Sequence, residues 1–163
     1  MKKTVKIVVA MALILSLCLP MINGGKAEAA RAGYYFTYKG ASITMGSKAK
    51  KFLKKAGDPI SKNKKKSCAY KGYDYTRKYP GFTLSTYTNS STGPEIVNCI
   101  TFLDGSVSTN EGIHIGSTES EMKSAYGDGS SISGIYSYVK GKTKLQIQVV
   151  SGAVKLIRYV KLK

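Results

Sequence analysis

Histidine, cysteine and acidic residues are scarce in this sequence, and each scarcity argues against a class of chemistry. The only histidine is His114, and no C-x-x-C spacing occurs, so a zinc site would have too few ligands. The order of the chain supplies His114 with no evident nucleophile and orienting acid, which a catalytic triad requires. A phosphate-binding glycine motif is also absent. The sequence therefore predicts a protein that is not an enzyme and that uses no metal and no cofactor.

Long apolar runs are rare as well, and the one that occurs lies at the start of the chain. Lysines precede the run "IVVAMALILSLCLPMI", and the small-residue site Ala27-Glu28-Ala29 follows it. This order is typical of a secretory signal peptide, here residues 1–29. A membrane anchor is the rival interpretation, but Ser16 and Pro20 break the run below the roughly 20 apolar residues that a spanning helix needs. Acylation of Cys18 is disfavoured because Leu17 precedes it. We therefore expect a secreted protein without a transmembrane anchor after cleavage, extracellular or associated with the cell wall.

The segment that would remain, residues 30–163, is long enough for a single domain with its own core. It carries two cysteines, Cys68 and Cys99. An even pair outside the cell favours a disulfide, which would contribute roughly 3 to 4 kcal/mol. Two free thiols, with Cys99 buried in a strand, are the alternative.

Acidic residues are too few to balance the basic ones. Nine Asp and Glu face 26 Lys and Arg, so the formal net charge is +17. Residues 48–71 hold ten lysines against Asp58 alone. This segment is typical of a contact surface for a polyanion such as teichoic acid, nucleic acid or an anionic membrane. The alternative is a solvated helix face followed by a flexible loop. Lysines without arginines are point charges, which disfavours the reading of nucleic-acid bases. The candidate lysines are Lys48, Lys51, Lys55, Lys62, Lys64, Lys65 and Lys66.

A local pattern occurs twice. The stretch "ITMGSKAKKFLKKAGD" at 43–58 returns 70 residues later as "IHIGSTESEMKSAYGD" at 113–128. Each copy predicts a helix, near 47–56 and 117–126, which begins at a capping serine and ends at a glycine. Such recurrence predicts a tandem repeat, with boundaries at about 36–104 and 105–163.

Three stretches with strand character follow each predicted helix. They are "YDYTRKY", "FTLSTYT" and "EIVNCITFL" in the first half and "GIYSYV", "KLQIQVV" and "AVKLIRYVKL" in the second. We therefore predict an α+β fold, in which each repeat is a helix followed by a three-stranded antiparallel meander and the helices pack on one face of the sheet.

Tyrosines form the second candidate surface. Tyr73, Tyr75, Arg77 and Tyr79 alternate along one predicted strand, and Tyr136 and Tyr138 do the same in the second half. On a face turned away from the helices, these rings would suit recognition of a partner. The alternative is that tyrosines simply fit strands and cover a half-exposed sheet.

The pattern "GIHIGSTESEMKSAYGD" with its following meander resembles the repeat of the beta-lactamase inhibitor proteins (BLIP) and, more distantly, small outer-membrane assembly lipoproteins. The segments "SCAY", "GFTLSTY" and "DGSVSTNEGIHIG" are similar to secreted two-repeat proteins of low-GC Gram-positive bacteria. The resemblance covers most of residues 36–160 and implies a scaffold rather than a shared activity. It transfers no inhibitory contact residue to this chain.

Composition and resemblance together favour a non-catalytic binding protein of the cell envelope with a strongly basic surface. Its expected partner is an anionic envelope polymer or another protein. An inhibitor of a secreted or envelope hydrolase is the alternative, and only the resemblance suggests it.

Overall fold

A computed structural model describes residues 33–162, so the predicted signal peptide lies outside the described residues. Within residues 33–162 the chain forms ten strands and two helices. In chain order they are β1 (Tyr35–Tyr38), β2 (Ala41–Thr44), α1 (Lys50–Ala56), β3 (Ser61–Lys66), β4 (Tyr73–Tyr79), β5 (Phe82–Tyr87), β6 (Ile96–Phe102), α2 (Glu119–Tyr126), β7 (Ser130–Ile132), β8 (Ile135–Lys140), β9 (Thr143–Val150) and β10 (Ala153–Lys161).

Eight of the strands form one antiparallel sheet. Their order is β3-β4-β5-β6-β10-β9-β8-β7, and β1 and β2 form a separate hairpin. Two groups of four strands thus run in chain order from the sheet edges to its centre, where β6 pairs with β10 and Ile100 lies opposite Tyr159. The two edges of the sheet are β3 and β7.

The predicted α+β architecture of two helix-plus-three-strand repeats is wrong. The protein is mostly β, with 12% helix and 49% strand, and its main element is the eight-stranded sheet. The prediction missed β3 and β7 because all their side chains are exposed, so no apolar alternation marks them. It also made both helices too long: α1 has seven residues and α2 has eight.

The recurring Gly-Ser pair attaches the chain to the sheet rather than capping a helix. Gly46 N–H donates to the carbonyl of Val97 in β6, and Val97 N–H donates to the carbonyl of Ser47. Gly116, Ser117 and Val154 of β10 repeat the same two bonds in the second half. The predicted serine caps are therefore wrong, and the pair serves as a backbone bridge to a central strand.

The helix starts differ from each other. Ala49 precedes α1 and its side chain makes no capping bond. Thr118 precedes α2 and forms a capping box with Glu121, in which each side chain bonds the other residue's backbone N–H. Both helices end at a glycine with positive φ, Gly57 and Gly127, as predicted.

The core lies between the sheet and the layer formed by the helices and the β1–β2 hairpin. Phe36 of β1 and Phe52 of α1 both pack edge-on against Phe82 of β5, with ring centroids 4.9 and 6.5 Å apart. In the second half, Met122 of α2 is fully buried, and the hydroxyl of Tyr138 in β8 contacts its sulfur. Where the helices and the hairpin no longer cover this face of the sheet, its side chains lie at the protein surface.

Candidate binding surface at the lysine-rich edge

Strand β3, "SKNKKK", forms one edge of the large sheet. All six of its side chains are exposed. Charged side chains on an edge strand discourage pairing with a strand of another molecule, so a strand of this composition suits the edge of a sheet. The alternation of a strand places Lys62, Lys64 and Lys66 on one face and Lys65 on the other. The flexible loop considered as one alternative for this segment is therefore wrong.

Two of the three lysines on this face, Lys62 and Lys64, lie against tyrosine rings of β4. Lys64 is directly opposite Tyr75 in the ladder, and Lys66 is opposite Tyr73. The ammonium nitrogen of Lys64 lies 3.9 Å from the centroid of the Tyr73 ring, and that of Lys62 lies 5.6 Å from the Tyr75 centroid. Each distance is within the range of a cation–π contact. We call these five residues, Lys62, Lys64, Lys66, Tyr73 and Tyr75, the lysine–tyrosine face.

A buried ion pair borders this face. Arg77 is 5% exposed, and its guanidinium donates to both carboxylate oxygens of Glu95 at 2.6 and 2.8 Å. The hydroxyl of Thr86 also donates to Glu95, at 2.7 Å. Partial burial alone would raise the pKa of Glu95, but these hydrogen bonds outweigh it and hold that pKa below its ordinary value. Glu95 is therefore ionised and already neutralised by Arg77, whose guanidinium also lies 5.1 Å from the Tyr75 ring centroid.

The predicted tyrosine surface is divided by burial. Tyr73 and Tyr75 are half-buried, whereas Tyr79 at the other end of β4 is 1% exposed and stacks on Phe82. Its hydroxyl donates to the carbonyl of Gly57 at the end of α1, at 3.3 Å. The alternating face of β4 is thus the face that α1 covers, and the rings remain accessible only beyond the helix.

The tyrosines of the second half lie in the core. Tyr138 donates its hydroxyl to the Gly127 carbonyl, and Tyr136 donates to the carboxylate of Glu119 in α2. Burial is the largest cause of the raised pKa of Tyr138. These two tyrosines are not brought together with Tyr73 and Tyr75, because they belong to the opposite end of the sheet.

The lysines of the first helix form a neighbouring basic patch. Lys48, Lys51 and Lys55 are exposed, the first just before α1 and the others on it. Because α1 lies over the Tyr79 end of β4, these charges flank the lysine–tyrosine face rather than join it. Lys65, on the reverse side of β3, lies opposite Asp74.

The two cysteines within residues 33–162, Cys68 and Cys99, carry free thiols. Cys68 is exposed in the connection between β3 and β4, and Cys99 is half-buried in β6. Burial is the largest influence on the Cys99 thiol and raises its pKa, despite a contact of 3.6 Å between its sulfur and the Thr101 hydroxyl. Of the two alternatives considered for this pair, the structure has the free thiols.

Tyr126 donates its hydroxyl to the carboxylate of Glu111 at 2.6 Å, whereas His114 and Asp104 make contacts with residues close by in the chain. The ring nitrogen Nδ1 of His114 lies 3.0 Å from the backbone carbonyl oxygen of Ile115, and Asp104 accepts bonds from its neighbour Ser106. Across residues 33–162, no cluster of three or more His, Cys, Asp and Glu side chains is placed to hold a metal ion. In the same part of the chain, neither helix is long and apolar enough to cross a membrane.

Sequence reasoning missed Glu95 and Thr86, although both complete the border of the face. Glu95 lies 18 residues from Arg77 along the chain and precedes β6 without belonging to any periodic pattern. Only the pairing of β4, β5 and β6 brings these groups together, so no local signal could have identified them.

Comparison with family models, with curated proteins and with solved structures finds no match for this chain. The resemblance to the beta-lactamase inhibitor proteins therefore stays a prediction.

Proposed function

We propose that this protein is a non-catalytic binding protein that holds an anionic polymer of the cell envelope against the lysine–tyrosine face. One observation carries the proposal: three lysine ammonium groups lie on one strand face, and the carboxylate that borders them, Glu95, is already paired with Arg77. The lysines therefore keep their charge available for an external anion.

The charge distribution supports the same face. Over residues 33–104 the sequence has 13 lysine and arginine residues against four carboxylates, whereas over 105–163 it has eight against four. A surface with an excess of one sign raises the local concentration of oppositely charged ligands and speeds their association. The excess is concentrated in the half that contains β3 and α1.

The side chains suit a repeating anion rather than one specific group. Lysines on alternate positions of a strand are spaced by about 6.6 Å, twice the rise per residue. Their point charges impose little orientation on the ligand, unlike the fork of an arginine. Tyrosine rings beneath Lys62 and Lys64 limit the freedom of those two side chains, so less entropy is lost when a polymer binds. A flexible chain of phosphates could follow such a row.

The test uses glycerol-phosphate teichoic acid as the probe and measures affinity as a function of salt. The variant Lys62→Ser, Lys64→Ser, Lys66→Ser removes the charges of the face. The matched control, Lys140→Ser, Lys142→Ser, Lys155→Ser, removes three exposed lysines from the other half. Both variants lose the same net charge, so a difference between them reports position.

Each lysine that displaces a condensed counterion adds about 0.7 to the slope of log affinity against log salt, as for single-stranded polyphosphates. We expect the face variant to flatten that slope by about 2 units, and the control to change it much less. The free energy of unfolding should change by at most about 0.5 kcal/mol per site in either variant. Equal slopes in the two variants would refute the assignment to this face, and absence of binding by the parent protein would refute the function.

A further inference from the structure

We propose that the reverse side of the same edge carries a second site, which binds a neutral pyranose. A cavity of about 370 Å³ opens beside the β3–β4 connection, and charged, amide, hydroxyl and aromatic side chains line it. Small-molecule sites span about 300–1,000 Å³, so a single sugar ring matches its size. The residues used below are Lys65, Tyr70, Asp74, Ser85, Tyr87 and Asn98.

The strand register assembles the polar part of the lining. Lys65 lies opposite Asp74, and Asp74 lies opposite Tyr87. Residues directly opposite each other in a ladder point to the same face, so these three side chains share the face that the lysine–tyrosine face turns away from. Ser85, two residues before Tyr87, joins them.

A β-bulge brings the side-chain amide of Asn98 to the cavity. The register between β5 and β6 shifts after Ser85, which pairs with Cys99, while Thr86 pairs with Val97. Asn98 is the extra residue, and bulges commonly redirect a side chain in this way. Its exposed amide lines the cavity, where it supplies both a donor and an acceptor.

The connection between β3 and β4 supplies an aromatic wall. Tyr70 stacks on Tyr87 with ring centroids 4.5 Å apart and planes 15° from parallel. The connection is anchored, because a Cβ at Gly72 would lie 2.2 Å from the carbonyl oxygen of Thr88. The backbone of Tyr73 also exchanges bonds with Thr88. Tyr70 remains 42% exposed, so the wall is accessible.

Charge separates this site from the first one. The cavity is lined by one ammonium group and one carboxylate, Lys65 and Asp74, whereas the lysine–tyrosine face holds three ammonium groups. Lys161 does not line the cavity, although its ammonium nitrogen lies 5.7 Å from the centroid of the Tyr87 ring. Among the lining groups, a phosphate would be attracted by Lys65 and repelled by Asp74, so the lining favours an uncharged ligand.

A pyranose satisfies both parts of the lining. Its hydroxyl groups can donate to the carboxylate of Asp74 and can both donate to and accept from the Asn98 amide and the Ser85 hydroxyl. The C–H groups on a face of its ring can pack against the exposed ring of Tyr70, which the buried Tyr87 supports from behind. An acyclic polyol has the hydroxyls without the rigid apolar face, which gives the test its control ligand. This site stands independently of the proposed polymer function.

The experiment titrates glucose, N-acetylglucosamine and glycerol separately into the isotopically labelled protein and follows amide NMR shifts. We expect at least one of the two sugars to give saturable shifts at the Asn98 side chain and at residues 67–72, with a dissociation constant of about 1 to 10 mM. Glycerol should not produce them. The variants Tyr70→Ala and Asn98→Ala should each weaken the binding of that sugar about tenfold.

Two control variants show whether a loss of sugar binding comes from the site or from a loss of folding. Tyr70→Phe keeps the ring and should bind like the parent, and Asn89→Ala removes an exposed amide outside the cavity and should also bind normally. The proposal is overturned if neither sugar gives saturable shifts up to 100 mM, which is about ten times the weakest expected constant. It is equally overturned if glycerol matches the sugars or if Tyr70→Ala binds unchanged.

Discussion

The two ends of the eight-stranded sheet are built alike in backbone and differ in what covers them. At one edge β3 pairs with β4, with Lys64 opposite Tyr75; at the other β7 pairs with β8, with Ser131 opposite Tyr136. Tyr75 remains half-buried under lysine side chains, whereas Tyr136 is 9% exposed and donates its hydroxyl to Glu119 of α2.

The covering helix explains the difference. Met122 and Gly127, within and just after α2, both accept from the hydroxyl of Tyr138. In the first half, the hydrogen bond to the end of α1 comes from Tyr79. Tyr79 lies at the opposite end of β4 from the half-buried Tyr73 and Tyr75. Arg77 and Glu95 then form the border of the core. A tyrosine on a strand of this sheet thus lies in the core or at the surface according to how far the nearest helix extends over it.

The largest expected effect is a loss of stability, and it tests whether the two halves of the protein share one core. Phe52→Ala should cost about 3 to 5 kcal/mol and Met122→Ala about 2 to 5 kcal/mol, because each leaves a cavity beneath its helix. Chemical unfolding followed by circular dichroism should show a single transition for both variants. The neighbouring exposed residue gives a control, since Lys51→Ala should change stability by at most about 0.5 kcal/mol. Two separate transitions would contradict a shared core.

A smaller effect is expected at the border of the lysine–tyrosine face. Arg77→Ala should cost about 2 to 3 kcal/mol, because it removes two charge-assisted hydrogen bonds and leaves Glu95 without its partner. Arg77→Lys should recover part of this loss, since lysine keeps the charge without the two-pronged geometry. Unfolding free energies from denaturant titration would measure both changes. No difference between Arg77→Ala and the parent would contradict a stabilising pair.

The lowered pKa of Glu95 predicts how the stability of the protein changes at acidic pH. The pKa of Glu95 is lower in the folded protein than the ordinary value of about 4.5, so its contribution to stability is complete above that value and is lost as the pH falls through the folded pKa. Glu95→Gln should therefore be less stable than the parent near neutral pH, and the difference should shrink below about pH 4. Thermal unfolding across that range would measure it, and a difference independent of pH would contradict the assignment.

The smallest effect compares the two ends directly. Tyr138→Phe removes a buried hydroxyl that bonds to the Gly127 carbonyl and should cost about 1 kcal/mol. Tyr75→Phe should change stability by at most about 0.5 kcal/mol, because its side chain is only half-buried and no helix covers it. Denaturant midpoints under identical conditions give the comparison. Equal costs at the two positions would show that burial does not distinguish the edges.

Local pattern predicted some features and failed at others. The glycines that end the helices were predictable because a helix that ends in a positive-φ residue needs glycine at that position, as at Gly57 and Gly127. The edge strand β3 was not, because a strand exposed on both faces has no alternation to detect. The recurrence of Ser47 as Ser117 was visible, but its meaning was not. The bonds it makes are to Val97 and Val154, many residues away.

Composition and local order alone account for the excess of positive charge, its concentration in residues 48–71 and the recurrence of the Gly-Ser pair. The folded chain was needed to show which lysines meet tyrosine rings, which tyrosines are buried and which carboxylate neutralises Arg77. Those outcomes depend on the strand register and on how far each helix extends over the sheet, and both are settled by contacts between residues distant in the chain.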